Sequence, residues 1–368
     1  MGKRIIISGG GTGGHIFPAI AIANAVKRLA PDAELLFVGA NGKMEMEKVP
    51  AAGYEIVGLD IQGINRKSLW KNLTLPFKLY NSISKARQLV RDFKPDVAVG
   101  VGGYASGPLL YTAAQMGIPC LIQEQNSYAG ITNKRLARKV DRICVAFGGM
   151  DRFFPKEKIM FTGNPIRRDS VDIQNKRFEA SQLLGISPHK KTILLTGGSL
   201  GARTLNECML EGLDKLVAAD VQLIWQCGAY YHQALRESIG EKYKDHVKLT
   251  AFLHRMDLAY AAADIIIARA GAGTIAELCA VGKPVVLVPS PNVAEDHQTK
   301  NAQALVDKAA AAVVSDAEAP ARLVAETLEL LHDRRRSELL MGNIKALAIL
   351  DADEVIAREV LRLAGTKV

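Results

Sequence analysis

His15 stands directly after a glycine-rich turn, in the stretch IIISGGGTGGHIFPA at residues 5–19. An imidazole at the start of a helix meets the positive end of the helix dipole, which disfavours protonation and leaves a neutral ring able to accept a proton. The turn before it is of the kind that holds phosphates on its N–H groups. Gly9, Gly11 and Gly14 satisfy a G-x-G-x-x-G spacing after a strand. The acidic residue that would hold a dinucleotide's ribose is missing, however, because the second strand, ELLFVGANG, closes on Gly39. An ATP-binding loop is no better matched, since His15 occupies the position where its lysine belongs.

Three further glycine-rich turns follow strands: GVGGYASGP at 100–108, GGSLGA at 197–202 and RAGAGT at 269–274. One glycine turn is ordinary loop chemistry, but four at strand ends point to one or two that cradle a diphosphate. Thr274 and Glu277 have capping-box spacing, so Glu277 either caps its own helix or accepts hydrogen bonds from a ribose diol beside that diphosphate. His297 and Gln298 open a later helix, from which they can reach a sugar. Glu124, Asn126 and Asn133, in QEQNSYAGITN, follow another strand end, and Arg167 is placed to meet developing negative charge. The DAD at 351–353 resembles a D-x-D metal site, but aspartates at a helix start are ordinary capping residues and no metal is expected there.

These residues need strands to hold them. Short apolar runs alternate with amphipathic helices: RIIIS, ELLFVG, DVAVGVG, PCLIQE and RICVAF, then TILLTGG, QLIWQCG, VKLTAF, DIIIARAG and PVVLVP. That alternation predicts parallel sheets covered on both faces, in two Rossmann-like α/β domains. A cluster of turn formers, Gly163, Asn164 and Pro165, marks the expected hinge. The expected domains are residues 1–163 and 164–346, with a final helical segment at about 347–368 that packs back on one of them. Ligands of open α/β sheets bind beyond the carboxyl ends of the strands, so the expectation is an active site between the two domains.

Composition narrows the setting. With 368 residues and 48% hydrophobic content, the chain can build two cores. No apolar run approaches the roughly 18 residues of a membrane span, and no secretory leader is recognisable, which predicts a cytoplasmic protein. Five scattered cysteines without a C-x-x-C pair suit a reducing compartment and structural roles. The net charge of +9 suits an anionic partner. Residues 66–91 carry seven basic residues and no acidic one, interleaved with Trp70, Leu73, Leu75, Phe77 and Leu79. That pattern fits either a helix with a solvated basic face or a surface that lies on anionic lipid. No nucleic-acid-binding module is recognisable, and no nucleic-acid partner is expected.

Seven ordered motifs, GGTGGH, GVGGYASGP, EQN followed by GITN, GNPIR, GGSLGA, RAGAGTIAEL and HQTKNA, together resemble the bacterial peptidoglycan N-acetylglucosaminyltransferases over nearly the whole chain. The resemblance implies an inverting transferase of the GT-B fold. Such an enzyme moves N-acetylglucosamine from its UDP carrier to the 4-hydroxyl of the muramoyl sugar of undecaprenyl-diphosphate-linked muramoyl-pentapeptide, turning lipid I into lipid II. It implies no metal or other cofactor. The main chain at Leu253 would read the uracil and Glu277 would take the ribose. Ser199, Ala272, Gly273, Thr274 and the following Ile275 and Ala276 would surround the diphosphate with Arg167, and Gln298 would contact the sugar hydroxyls.

Thr12, Gly13, Gly14, Asn126 and Asn133 would face the sugar and acceptor. His15 is the favoured base, and the other catalytic candidates, Glu124 and Asn126, would order the acceptor. The resemblance also implies a peripheral protein on the cytoplasmic face of the inner membrane, seated through Lys67, Trp70, Lys71, Leu73, Leu75, Phe77 and Lys78. Cell-wall synthesis and division proteins are further expected partners. The rival readings are a UDP-N-acetylglucosamine 2-epimerase, which needs neither acceptor nor lipid surface, a dehydrogenase, and a purely binding or structural protein.

Overall fold

The computed structural model describes residues 2–62 and 75–366. The chain divides into two compact units, Met1–Ile166 together with Asp351–Val368, and Arg167–Leu350.

The first unit is built on a seven-stranded sheet of β1 (Arg4–Gly9), β2 (Glu34–Ala40), β3 (Glu55–Leu59), β4 (Val97–Gly102), β5 (Cys120–Glu124), β6 (Arg142–Val145) and β7 (Ile159–Phe161). The strand order is β3-β2-β1-β4-β5-β6-β7 and every pairing is parallel. The second unit repeats the plan with β8 (Thr192–Thr196), β9 (Gln222–Gln226), β10 (Val247–Thr250), β11 (Ile265–Ala268), β12 (Val285–Leu287) and β13 (Ala312–Val313), ordered β10-β9-β8-β11-β12-β13. In both sheets the chain starts in the middle, works outward to one edge and then returns to the other side of the first strand. The reversal leaves a crevice at the carboxyl ends of β1 and β4 in one unit and of β8 and β11 in the other, where a doubly wound sheet receives ligands. Ten of these strands are the apolar runs expected from sequence; β3, β7 and β13 are additional.

Ile5, Ile6 and Ile7 of β1 are all fully buried, because helices cover both faces of the sheet and leave no solvent side for alternation. The helix Gly13–Leu29 lies against β1, and the C-terminal helix Ala352–Leu363 packs beside it. That last helix buries Ile356, Ala357, Val360 and Leu361 in the first unit's core. Its polar side is tied down by Asp353, which accepts from Arg28 at 2.6 Å, and by Glu359, which accepts from Arg142 at 2.7 Å. The DAD segment therefore serves packing, with Asp351 preceding the helix and Asp353 paired. All five cysteines are free and buried, and burial pushes the thiols of Cys120, Cys144 and Cys279 up to about 12, which makes them poor nucleophiles.

Arg362 and Arg142 hold the Glu359 carboxyl below the usual glutamate range. A carboxylate with a depressed pKa contributes stability above its unfolded value and loses it as pH falls through the folded one. We expect Glu359→Gln to lower the melting temperature of the first unit at pH 7, and the gap to the parent protein to close below about pH 4. Thermal melts across that range check this, and a gap independent of pH would contradict it.

Candidate active site

In the first unit the turn after β1 touches the turn after β4 main chain to main chain. Gly10 N donates to Gly102 O at 3.2 Å, and a Cβ on Gly103 would stand 2.4 Å from Gly10 O. His15 lies in the first turn of the helix Gly13–Leu29 and its Nδ1 is 2.9 Å from Gly10 O. A carbonyl only accepts, so Nδ1 carries the hydrogen, and whenever the ring is neutral Nε2 is the nitrogen that accepts a proton. Gly102 has φ +103, and a Cβ there would lie 2.8 Å from Nε2, so the glycine is what lets the ring reach the strand end. Thr12 and Gly14 are exposed and Gly13 is half-buried beside them.

Glu45 was not singled out from sequence. It is the first residue of the helix Glu45–Ala51, is 1% exposed, and turns its carboxylate back under the glycine turn. One oxygen accepts from Gly11 N at 2.8 Å and the other from Ala40 N at 3.0 Å. Gly39 at the end of β2 leaves room for it, since a Cβ there would fall 2.6 Å from Glu45 Cγ. The available signal was an acid six positions beyond the glycine that replaced the expected one.

Glu124, at the end of β5, is 2% exposed and accepts four hydrogen bonds. They come from Asn126 N (3.1 Å), Asn126 Nδ2 (3.3 Å), Gly130 N (3.0 Å) and Asn133 Nδ2 (2.8 Å). The carboxylate thus shapes the loop 125–133, with Asn126 half-buried on it and Asn133 buried.

In the second unit the turn after β8 is held as tightly. Gly201 has φ +77, and a Cβ on it would stand 1.8 Å from Cys227 O; a Cβ on Gly228 would stand 2.2 Å from Leu200 O. Ser199 is left exposed at the tip. After β11 the helix Ala272–Val281 begins with Gly271 as its N-cap, so Glu277 is interior and no Thr274–Glu277 capping box forms. Ile275 N makes the first backbone bond, to Gly271 O at 2.9 Å, which leaves the N–H groups of Gly273 and Thr274 ahead of the helical ladder, as an anion site requires. Gly273 has nothing within 4 Å of where its Cβ would be, so open space lies over this turn. Ile275 is buried and Ala276 half-buried behind it.

Glu277 meets two partners. Tyr260 donates its hydroxyl to Oε2 at 3.2 Å, and Arg167 Nη2 lies 3.7 Å from Oε1. Burial raises the Glu277 pKa, with Arg167 and the Tyr260 hydroxyl pulling it back. Arg167 itself is well exposed. Leu253, in the loop after β10, is buried, while its backbone N–H and C=O make no hydrogen bond to any described residue. His297 and Gln298 open the helix His297–Val306 after Glu295 and Asp296, both at φ 54. The Gln298 carbonyl oxygen accepts from Ser290 N at 2.8 Å, which fixes its amide with the NH₂ side left for other acceptors.

This set of side chains can do three things: accept a proton at His15, bind an anion at a helix N-terminus, and hold a diol on a carboxylate. The amino-terminal domain model of glycosyltransferase family 28 matches residues 5–145 and the carboxyl-terminal domain model matches 192–356. The chain belongs to glycosyltransferase family 28. It is 55% identical over 364 residues to the UDP-N-acetylglucosamine–N-acetylmuramyl-(pentapeptide) pyrophosphoryl-undecaprenol N-acetylglucosamine transferase of Parabacteroides distasonis, covering 99% of each chain. It is 56% identical to the protein of the same name from Bacteroides fragilis, covering 98% of this chain and 96% of that one. The crystal structure of Acinetobacter baumannii MurG superposes with a TM-score of 0.80 at 28% identity, over 98% of this chain and 99% of that chain. A UDP-GlcNAc 2-epimerase from Neisseria meningitidis shares the fold, with a TM-score of 0.68 at 16% identity.

Of the stretch with basic and apolar residues, Lys67, Trp70, Lys71 and Leu73 lie outside the described residues. Leu75 opens the helix Leu75–Phe93, on which Phe77 is 75% exposed, Tyr80 73% and Leu79 43%. Lys78 reaches Gln62 Oε1 at 3.3 Å, and Lys85 donates to Gly58 O at 2.8 Å. No helix among the described residues is long and apolar enough to cross a membrane.

The two glycine turns of the second unit differ in what they tolerate. Gly201→Ala should destabilise the unit by at least ~2 kcal/mol, because the new methyl meets backbone at a left-handed φ. Gly273→Ala, in open space on a helix, should leave stability unchanged or raise it by up to ~1 kcal/mol. Denaturant melts of the two variants distinguish them, and equal losses would contradict this geometry.

Proposed function

We propose that this chain transfers N-acetylglucosamine from UDP-N-acetylglucosamine to the 4-hydroxyl of the muramoyl sugar in undecaprenyl-diphosphate-linked muramoyl-pentapeptide, with His15 as the base and the second unit as the donor site. The observation that carries the reading is an imidazole fixed as the Nδ1–H tautomer at the strand-reversal point of a chain more than half identical, end to end, to transferases of that name. In the step itself the acceptor oxygen attacks C1 of the sugar while its proton passes to His15 Nε2. The bond from C1 to the diphosphate oxygen breaks, UDP leaves with the electron pair, and attack opposite the leaving group inverts the anomeric centre.

The second unit supplies what the leaving group needs. The N–H groups of Gly273 and Thr274, with Ser199 and the Arg167 guanidinium, meet the diphosphate where charge develops. Glu277 accepts the ribose diol, which frees Arg167 from its 3.7 Å pairing to turn toward phosphate. The unpartnered main chain of Leu253 reads uracil, and the Gln298 amide donates to a sugar hydroxyl. Thr12, Gly13, Gly14, Asn126 and Asn133 bind the acceptor side, and Glu124, saturated by four donors, orders their loop in place of acting as a base.

The exposed Phe77, Leu79 and Tyr80 beside a basic stretch support seating on an anionic membrane at the cytoplasmic face. Phe77→Ser with Tyr80→Ser should reduce binding to anionic vesicles severalfold while sparing activity on a soluble acceptor analogue. These aromatics are better probes than Lys78 or Lys85, whose ammonium groups already serve neighbouring residues. Equal loss of both activities would contradict the membrane role.

His15→Ala should lower turnover by about 10² or more with UDP affinity nearly intact; unchanged turnover would remove His15 from the mechanism. Tyr260→Phe deletes a hydrogen bond to the ionised Glu277, so its already raised pKa climbs further and the carboxylate protonates sooner on acidification. UDP affinity should fall about fivefold at neutral pH, and its acid limb should move to higher pH. Calorimetric titrations with UDP between pH 5 and 8 check this, and an unmoved limb would show that Tyr260 only packs.

A further inference from the structure

We infer that Glu45 is a positioning residue for His15, acting through the Gly10–Gly11 peptide. The inference rests on the proposed role of His15 as base. Gly10 C=O and Gly11 N–H are the two ends of one peptide unit. The carbonyl end accepts the His15 Nδ1 hydrogen at 2.9 Å, and the amide end donates to Glu45 Oε2 at 2.8 Å. Carboxylate, peptide and imidazole therefore form one hydrogen-bonded chain.

A hydrogen-bond chain of this kind polarises along its length, so an anion at the amide end makes the carbonyl a better acceptor. A better acceptor at Nδ1 holds the ring in the tautomer that presents Nε2, and stabilises the imidazolium once Nε2 has taken a proton. In serine hydrolases a buried aspartate bonded directly to the imidazole does this work; here a peptide stands between.

Three features show that the placement is built. Glu45 is 1% exposed, and its second oxygen is spent on Ala40 N at 3.0 Å, which anchors the carboxylate to the end of β2. A Cβ on Gly10 would lie 2.2 Å from Oε1 and one on Gly39 would lie 2.6 Å from Cγ, so both glycines leave the volume the side chain occupies. The Gly11 N–H of the G-x-G-x-x-G turn is thereby spent on the protein's own carboxylate, which withdraws it from binding phosphate.

The test is a double-mutant cycle on the full chain, with UDP-N-acetylglucosamine and a short-chain lipid I analogue. Glu45→Gln keeps the shape but removes the anion and places an NH₂ where an oxygen accepted. It should lower kcat tenfold or more, with KM for UDP-N-acetylglucosamine within twofold of the parent. Combined with His15→Ala it should cost nothing further, since its effect passes through the imidazole. Full kcat in Glu45→Gln, or an additional loss in the double variant, would overturn the inference and leave His15 in place as base. Full turnover in His15→Ala would overturn the base assignment and the inference with it. Should Glu45→Gln fail to fold by circular dichroism, Glu45→Asp, which keeps the anion but draws it back from Gly11 N and leaves the glycine turn unaltered, decides by the same criteria.

Discussion

Main chain touching main chain at the ends of the central strands is the constraint on which the candidate site depends. Gly10 against Gly103, and Gly201 against Cys227 and Gly228, approach so closely that no side chain fits between them. Parallel strands bring their carboxyl ends to one edge of each sheet, and the reversal of strand order opens a crevice there. Glycine closes that crevice to the width of a backbone, and only then do a helix N-terminus and an imidazole stand where they can act. Substitutions at these glycines act on geometry first and on chemistry through it.

Three buried or half-buried carboxylates then organise the surroundings in three different ways. Glu45 bridges two backbone amides beneath the first turn, and Glu124 collects four donors and shapes the loop after β5. In both, each carboxylate oxygen has a donor within hydrogen-bond distance, as a carboxylate removed from water requires. Glu277 is the exception, with one hydroxyl and a guanidinium at 3.7 Å, and burial raises its pKa against the pull of both. A half-buried carboxylate left short of donors is suited to a ligand that brings donors of its own, and a ribose diol does.

Much of this was legible in the sequence because buried parallel strands write themselves as continuous apolar runs. Ten strands, the glycine turns behind them and the α/β class follow from those runs. EIVGL at β3 was missed because a glycine interrupts a short edge strand, and β7 and β13 because three and two residues carry no period. His15, Glu277 and Gln298 were legible because each follows a strand at the carboxyl edge. Glu45 and Tyr260 were not, since their importance lies in partners that are distant in the chain: Gly11 for one, and for the other a carboxylate on a different helix. The capping-box spacing of Thr274 and Glu277 misled for a related reason. The helix starts one turn earlier than that motif requires, at Ala272 after Gly271, so Glu277 points to Tyr260 and Arg167 instead of its own N-terminus.

The central claim is a direct displacement at the sugar's anomeric carbon, with base and leaving-group support supplied by the chain. The most direct measurement is to incubate the protein with UDP-N-acetylglucosamine and a short-chain lipid I analogue, and to determine the mass and anomeric configuration of the product by mass spectrometry and NMR. Gain of a single N-acetylglucosamine, β-linked to the muramoyl 4-hydroxyl, is the predicted result. An α linkage, or conversion of the sugar nucleotide to its 2-epimer without transfer, would contradict the account.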